Sequence, residues 1–399
     1  MKKQWLMISL AIFILGVLVY LTVSTNVTQT FNPSSLKASS KTQQTKTKLS
    51  VSKNLTVEVT APTPETKPEP PQKLDWPKPD EIKGVYATAW MAGSDKWFPR
   101  IINFINETKV NALVIDVKDD TGTLSYTSQI PLVNEINSSE RKIRDPQKVF
   151  DLLKEHKIFP IARIVVFKDP YMAKNKPEWA VKDSNGGLWK DRKGLNWVDP
   201  HNQNYWDYIV DICKEAIEMG FQEIQFDYVR FTSDGDVKRC VYPYNNGKPA
   251  AEVIKDFLQY ARTQLQAYHV PISADIFGLT TSANADLGIG QRFEIIAENV
   301  DVVCPMVYPS HYIPGNFGLK NPDVAPYETV LRSVSDAKIK LEQAGNTATT
   351  IRPWLQDFSL GSHYGRAQIQ AQIKAVEDAG VKEWIFWNPS CRYDVEKYR

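Results

Sequence analysis

The sequence predicts a (β/α)₈ barrel of the TIM type, and three observations favour this fold. From Gly84 onward, short apolar segments alternate eight times with amphipathic segments of helical period. Polar residues gather near the C-terminal ends of the apolar segments, which is where barrel enzymes carry their chemistry. A doubly wound open sheet is the main alternative, but the G-x-G-x-x-G turn that usually follows an early strand of such a sheet is absent.

The predicted strands and helices follow one another in regular order. The strands span residues 84–90, 112–117, 159–167, 223–229, 271–277, 301–308, 350–356 and 383–387. The clearest helices span residues 97–108, 146–156, 205–219, 250–268, 327–344 and 366–378. Asp145 before Pro146 has the form of an N-cap with proline at the first helical position. Gly220 stands where the helix before the fourth strand should end.

The N-terminal part of the chain differs in composition from the predicted barrel. Residues 1–23 contain two lysines and then a mostly apolar run, which at about 1.5 Å per residue spans roughly 28 Å, close to the thickness of a bilayer core. The basic flank predicts a signal anchor with the barrel on the extracytoplasmic side. A cleaved signal peptide and a secreted protein are the alternative. Residues 24–80, rich in Ser, Thr, Lys and Pro, are predicted to be a disordered linker, which leaves 81–399 for the barrel.

Composition and motifs exclude several classes of protein. The net charge of +2 gives no reason to expect a nucleic-acid partner. The four cysteines show no C-x-x-C spacing and the five histidines no paired ligand spacing, so no zinc site is indicated. The prediction is for no bound metal and no cofactor. Neither G-x-S-x-G nor a P-loop occurs. The 11 Trp and 17 Tyr suit a carbohydrate site, because flat rings stack on sugar faces, although such residues are also ordinary core material.

One face of the predicted strands carries most of the polar and aromatic residues, while the opposite faces are mainly aliphatic. In a barrel the aliphatic faces meet the helices, and the other faces point to the axis. The residues expected to line a substrate site there are Tyr86, Trp90, Asp116, Lys118, Arg163, Gln225, Arg230, Tyr308, Trp354, Gln356 and Trp387. Burying so many charged groups without purpose is costly, so the pattern favours a site. A satisfied internal network of salt bridges is the alternative.

Two carboxylates stand at equivalent heights on adjacent predicted strands, Asp227 on the fourth and Asp275 on the fifth. Neighbouring strands lie about 4.8 Å apart, so the two carboxyl groups could approach the roughly 5–5.5 Å separation of a retaining glycosidase. Asp357, just after the seventh strand, could be a third carboxylate or could cap a turn. Asp116, Asp119 and Asp120 after the second strand could bind sugar hydroxyls or a divalent ion, or could be solvated loop residues.

Five segments resemble a bacterial family of barrel-shaped glycoside hydrolases, classed as a domain of unknown function. They are Lys83-Gly84-Val85-Tyr86, Val114-Ile115-Asp116-Val117-Lys118-Asp119, Gln225-Phe226-Asp227-Tyr228-Val229-Arg230-Phe231, Ser273-Ala274-Asp275-Ile276-Phe277-Gly278 and Pro305-Met306-Val307-Tyr308-Pro309. The resemblance covers residues 83–393. The family is distantly similar to the α-amylase and α-galactosidase barrels.

The similarity to the amylase group implies a nucleophile at Asp227, an acid/base at Asp275 and a stabilising carboxylate at Asp357. Two positions depart from the amylase pattern. The acid/base of that group is a Glu, one methylene longer than Asp275, and the Arg that stands two residues before its nucleophile is here Gln225. The α-galactosidase group takes its acid/base from after the sixth strand, where no obvious carboxylate lies near Tyr308.

These observations together predict a membrane-anchored, exported barrel that hydrolyses a glycosidic bond in an extracellular or cell-envelope polysaccharide. The expected mechanism is retaining, with catalytic residues Asp227, Asp275 and Asp357. A non-catalytic carbohydrate-binding barrel that assists assembly of the envelope is the alternative function. The sequence leaves the sugar and the oligomeric state open.

Overall fold

The computed structural model describes residues 76–399. The predicted signal anchor (1–23) and residues 24–75 of the predicted linker lie outside this part of the chain. Within the described residues, no helix is both long and apolar enough to cross a membrane. Trp76, which falls inside the predicted linker, is buried and packs edge-on against Phe150, so the packed chain begins before the predicted domain boundary.

Eight parallel strands close into a barrel, which confirms the predicted fold. They are β1 (Lys83–Ala87), β2 (Ala112–Lys118), β3 (Phe159–Val165), β4 (Glu223–Asp227), β5 (Ile272–Phe277), β6 (Val302–Met306), β7 (Thr350–Ile351 and Trp354–Gln356) and β8 (Trp384–Trp387). Each strand pairs with the next along the chain, and β8 pairs with β1 to close the ring. The C-terminal ends of all eight strands therefore meet at one end of the barrel.

A helix follows each strand on the outside of the barrel. The helices are α1 (Phe98–Asn106), α2 (Pro146–Glu155), α3 (Gln203–Met219), α4 (Ala250–Leu265), α5 (Phe293–Ala297), α6 (Pro326–Gln343), α7 (Arg366–Asp378) and α8 (Val395–Tyr398). Asp145 caps α2 as predicted, because its side chain accepts a hydrogen bond from the Lys148 amide. Gly220 ends α3 with φ +129°, a conformation that favours glycine.

Several strands are shorter than predicted, and β7 is interrupted. β1 ends at Ala87, since Thr88 caps a short helix, Ala89–Ala92, that begins immediately after it. Trp90 therefore lies on a helix instead of a strand. β7 is interrupted between Ile351 and Trp354, where Pro353 has no amide hydrogen to contribute to the sheet.

The two long loops after β3 and β4 meet over the C-terminal end of the barrel. Lys182–Asp183 from the first loop pairs antiparallel with Cys240–Val241 from the second. Trp197 in the first loop is fully buried, so these loops form a packed cover. The cover lies beside the ends of β4 and β5, the strands that carry the two predicted catalytic carboxylates.

Candidate active site

The lower part of the barrel axis holds a structural ion-pair network. Glu223, the first residue of β4, accepts hydrogen bonds from Arg352 Nη1 and Ser273 Oγ, each at 2.6 Å. Arg352 also donates to Glu383 at 2.7 Å. All four are buried or nearly so. At this level the predicted polar face forms an internal salt-bridge network, as in the alternative interpretation of the sequence, although Glu223 Oε2 is buried without a hydrogen-bond partner.

The upper part of the axis holds a different cluster, centred on Arg163 of β3. Its Nη1 donates to Asp116 at 2.6 Å, while Nη2 and Nε donate to Asp227 Oδ2 at 2.5 and 3.1 Å. Tyr86 of β1 donates its hydroxyl hydrogen to Asp116 at 2.5 Å. One guanidinium of β3 thus fixes a carboxylate from each of the two flanking strands, β2 and β4, in charge-assisted hydrogen bonds.

Arg163 occupies the place next to Gln225 in the barrel, since the two residues are direct partners in the pairing of β3 with β4. The resemblance to the amylase group placed an arginine two residues before the nucleophile, where this chain has Gln225. In the structure, the guanidinium that hydrogen-bonds to Asp227 comes from Arg163 on the adjacent strand. Gln225 is fully buried and donates to Cys304 Sγ at 3.4 Å, so it packs below the cluster.

Asp275 of β5 faces the same cluster. Phe226 pairs with Ala274, so Asp227 and Asp275 stand at the next equivalent positions of the two strands. Trp354 Nε1 donates to Asp275 Oδ1 at 2.6 Å. Burial and the neighbouring charge of Asp227 raise the pKa of Asp275 well above its usual value, and they outweigh the hydrogen bond from Trp354 and the attraction of Arg163.

The chain turns sharply directly after Asp227. Tyr228 adopts a left-handed backbone conformation with φ +51°, which is rare for a bulky side chain and costs on the order of 1 kcal/mol or more. This turn brings the Tyr228 amide to Asp227 Oδ1 at 2.6 Å. Asp227 therefore receives donors on both oxygens, from Arg163 and from its own strand end.

Aromatic rings complete the wall of the cluster. Trp387 stacks on Tyr86 with ring centroids 4.0 Å apart, and the Arg163 guanidinium lies 5.5 Å from the Trp387 ring. Trp387 stays partly exposed. Burial and the charges of Asp275 and Asp227 raise the pKa of Tyr308 well above its usual value.

Lys118 does not join the cluster, contrary to the sequence prediction. The register of β2 against β3 shifts between Asp116 and Lys118, and such a bulge redirects the following side chain. Lys118 Nζ instead donates to the Val165 carbonyl at 2.8 Å and pairs with Asp169 at 2.9 Å, and both charged side chains are fully buried. Its role is to tie the end of β2 to the loop after β3.

Three further predicted site residues lie outside the cluster. Asp357 accepts hydrogen bonds from Lys397 at 2.8 Å and from the Tyr398 hydroxyl at 3.1 Å, so it anchors α8. Gln356 is fully buried and accepts from the Ser310 amide and hydroxyl, which fixes the loop after β6. Trp90, on its short helix, is 57% exposed, and its indole contributes nothing to the cluster.

The other acidic residues after β2 have protein partners. Asp119 pairs with Lys142 at 2.6 Å and Asp120 lies 3.5 Å from Lys168. Across residues 76–399, no group of three or more His, Cys, Asp or Glu side chains is arranged to hold a metal ion. A cavity of about 350 Å³ between α1 and the segment after β8, lined by Met91, Trp97, Phe104 and Tyr393 among others, includes none of the clustered carboxylates.

Arg230 lies in an aromatic compartment that the strand pattern does not predict. Its guanidinium stands 4.8 Å from the ring of Trp197, 4.8 Å from that of Phe277 and 5.1 Å from that of Tyr228. Phe277 comes two residues after Asp275, and period two along β5 could have flagged it. Tyr228 could not be found this way, because its direction depends on the left-handed turn.

Comparison with known proteins gives a family and a fold. A family model described as "Putative glycosyl hydrolase domain" matches residues 84–393. The glycoside hydrolase domain of PgaB (BpsB) from Bordetella bronchiseptica superposes with a TM-score of 0.57 at 11% identity, covering 78% of this chain and 95% of that one. Alpha-L-fucosidase isoenzyme 2 from Paenibacillus thiaminolyticus gives 0.53 at 14% identity, covering 80% and 48%.

A hypothetical protein from Ruminiclostridium thermocellum ATCC 27405 is 43% identical over 48% of this chain and 96% of its own, with a TM-score of 0.45. No curated protein matches the chain. At their low identities, the two glycosidase structures establish similarity of fold. The family match spans all eight strands except the first residue of β1.

Proposed function

This chain belongs to the family of putative glycosyl hydrolase domains, and on that premise we propose that it hydrolyses a polysaccharide of the cell envelope or surroundings by a retaining mechanism. Asp227 is the nucleophile and Asp275 the general acid/base. The observation that carries the proposal is the contrast between two neighbouring carboxyl groups. Asp227 accepts hydrogen bonds from the Arg163 guanidinium, whereas the pKa of Asp275 is raised. Environments that differ in this way separate the two roles in glycosidases.

The environment of Asp227 suits a nucleophile. Arg163 donates twice to Oδ2, and the Tyr228 amide donates to Oδ1. These donors fix the orientation of the carboxylate. Attack of one carboxylate oxygen on the anomeric carbon forms the glycosyl–enzyme ester while the bond to the leaving oxygen breaks.

The environment of Asp275 suits an acid that keeps its proton near neutral pH. Burial and the charge of Asp227 raise its pKa, so the protonated form persists where an exposed Asp would be ionised. In the first step Asp275 gives its proton to the leaving glycosidic oxygen. In the second step it takes a proton from the water that attacks the anomeric carbon, and Asp227 leaves as a carboxylate.

Trp354→Phe should shift the pH profile of glycan release towards higher pH. The Trp354 indole donates to Asp275, and this hydrogen bond lowers the pKa of the carboxyl group. Removing the donor raises that pKa further, so the acid keeps its proton to higher pH and the alkaline limb of kcat/KM moves upward. Initial rates between pH 4 and 10 measure the shift. An alkaline limb that stays in place or moves downward contradicts the assignment of Asp275 as the acid.

The activity is tested with the purified full-length chain and a panel of bacterial cell-wall and surface polysaccharides. We expect release of new reducing ends from at least one polymer. NMR of the first product should show the anomeric configuration of the substrate retained, whereas inversion would reject the double-displacement mechanism. A polymer that is bound in a pull-down but never cleaved would favour a carbohydrate-binding barrel instead.

We also propose that residues 1–23 stay attached as a membrane anchor and that the barrel works outside the cytoplasm. The support is the apolar run behind two lysines at the N-terminus. Mass spectrometry of the protein extracted from membranes should find the N-terminal peptide of the uncleaved chain. A mature N-terminus after residue 20, or release of the protein by a carbonate wash, would reject the anchor.

A further inference from the structure

We propose that Arg230 binds an anionic substituent of the glycan, so that the substrate is an acidic polysaccharide bearing carboxylate, sulfate or phosphate groups. This inference rests on the proposed function and names its substrate class. The evidence for it is the environment of Arg230, a buried cation at the C-terminal end of the barrel. Free carboxylates, sulfate esters and phosphate esters share the feature that matters, which is a set of anionic oxygens that can accept hydrogen bonds from one guanidinium.

Arg230 is a buried cation without a carboxylate partner. Its residue is 4% exposed, and the hydrogen bond found for its side chain runs from Nη1 to the Phe231 carbonyl at 2.9 Å. No carboxylate of residues 76–399 lies within 4 Å of its nitrogens. The other buried lysines and arginines of the described chain each have such a partner, namely Lys118, Lys142, Arg163, Lys168 and Arg352.

The three rings around Arg230 stabilise the cation but do not satisfy its donors. The faces of Trp197, Tyr228 and Phe277 attract the positive charge and keep water away from it. A guanidinium has five N–H donors, and aromatic faces supply no conventional acceptor. Burial lowers the pKa of Arg230, which reflects incomplete compensation of its charge by the protein. An anionic ligand would supply both the missing charge and the missing acceptors.

The position of Arg230 connects it to the proposed chemistry. Tyr228 directly follows Asp227, and Phe277 comes two residues after Asp275. The guanidinium packs on both of these rings near the ends of β4 and β5, and Asp227 is among the charges that act on it. Trp197 reaches it from the cover formed by the long loops. A sugar bound at Asp227 would bring its own substituents, or those of the adjacent sugar, towards this cation.

Nearby acidic groups do not neutralise Arg230 directly. Asp234, Asp227 and Asp191 attract its charge, but only from beyond ion-pair distance. Both Asp227 and Asp191 have other cationic partners. Asp227 accepts a hydrogen bond from Arg163, and Asp191 lies 3.4 Å from Lys168. Lys168 also stands 5.1 Å from the Tyr228 ring. This second cation reduces the repulsion that an incoming anion would otherwise meet from Asp191.

The test compares acidic and neutral forms of the same polymers. Envelope polysaccharide from the producing organism is separated by anion exchange into anionic and neutral fractions. Portions of the anionic fraction are then carboxyl-reduced, desulfated or dephosphorylated, so that the treatment that abolishes binding identifies the anionic group. Binding is measured on full-length Asp227→Asn, so that the result does not depend on turnover. We expect this protein to bind the anionic fraction and to lose binding after one of the three treatments.

Substitutions at Arg230 should then act selectively. Adding Arg230→Gln to Asp227→Asn should weaken binding of the anionic fraction by roughly 10–100-fold, the value of a charge-assisted hydrogen bond, and leave binding of the treated polymer unchanged. Arg230→Lys should fall between the two, because it keeps the charge but loses the planar fork. Arg332→Gln, which removes an exposed arginine of α6, is the matched control and should have no effect.

Each outcome bears on one proposal. Equal weakening of treated and untreated polymer by Arg230→Gln, with a lowered Tm, would assign Arg230 a purely structural role and overturn the inference. Binding or cleavage confined to the neutral fraction, or no binding to any anionic fraction, would also overturn it. Selective, Arg230-dependent binding by a protein whose wild type never cleaves the polymer would reject the hydrolase and keep the anionic ligand.

Discussion

Asp227→Asn should reduce glycan release by on the order of 10⁴-fold, because loss of a catalytic nucleophile removes the covalent step altogether. Asparagine keeps the shape of the side chain, and its amide oxygen can still accept from Arg163. The fold should therefore survive, and thermal unfolding should show a cooperative transition. Initial rates of reducing-end release from the best polymer of the panel, measured with wild type and variant at equal concentration, give the ratio.

Asp357→Asn is the matched control for this substitution. The sequence placed Asp357 among the catalytic residues, but in the structure it accepts from Lys397 and Tyr398 and holds α8 against the barrel. Its substitution should leave kcat/KM within a few-fold of wild type and lower stability by roughly 1–3 kcal/mol, the cost of a disrupted buried polar contact. If Asp357→Asn abolished activity while Asp227→Asn retained it, the assignment of the nucleophile would be wrong.

Asp275→Asn should lower the rate on natural glycan by roughly 10²–10⁴-fold, the usual contribution of general acid–base catalysis. The loss should be much smaller on an aryl glycoside of the same sugar, because a good leaving group needs no proton. Added azide should restore turnover of the aryl glycoside, since this small nucleophile needs no general base to attack the glycosyl–enzyme. Equal losses on both substrates would remove Asp275 from the role of acid.

The same substitution should make the fold more stable at neutral and alkaline pH. The pKa of Asp275 is raised in the folded protein by burial and by Asp227, so across the interval between the unfolded and folded pKa values the folded state binds more protons. Stability of the wild type then falls as the pH rises through that interval. Asparagine carries no charge, so the Tm difference between variant and wild type should grow with pH. A difference that is independent of pH would contradict the raised pKa.

The predictions that succeeded came from local patterns. Because side chains alternate between the two faces of a strand, Gln225 and Asp227 were predicted on one face of the fourth strand. The same alternation along the fifth strand predicted Asp275 beside Asp227. Both residues are buried at the C-terminal ends of neighbouring strands in the structure. The helix N-cap at Asp145 and the helix end at Gly220 were likewise predicted from nearby residues alone. Each of these features depends only on the few residues on either side of it.

The predictions that failed depended on where a strand stops. Trp90 was placed on the first strand, but Thr88 begins a helix before it. Lys118 was placed on the axis, but the bulge after Asp116 turns it towards Asp169. A bulge or a capped turn costs little free energy locally, so the pattern of apolar and polar residues changes little where one occurs. Its consequence is nevertheless large, because one extra residue reverses the face of every side chain that follows.

The sequence by itself determined the barrel and the positions of the two carboxylates at the ends of β4 and β5. The alternation of side chains along a strand and the period of a helix can be recognised from residues that lie close together in the chain. Only the tertiary structure decided which charges pair. Arg163 reaches Asp227 from the adjacent strand, Asp357 turns to α8, and Arg230 is enclosed by rings from three segments of the chain. The physical reason is that the free energy of a buried charge depends on every group around it, and closing the barrel brings those groups together from distant parts of the sequence.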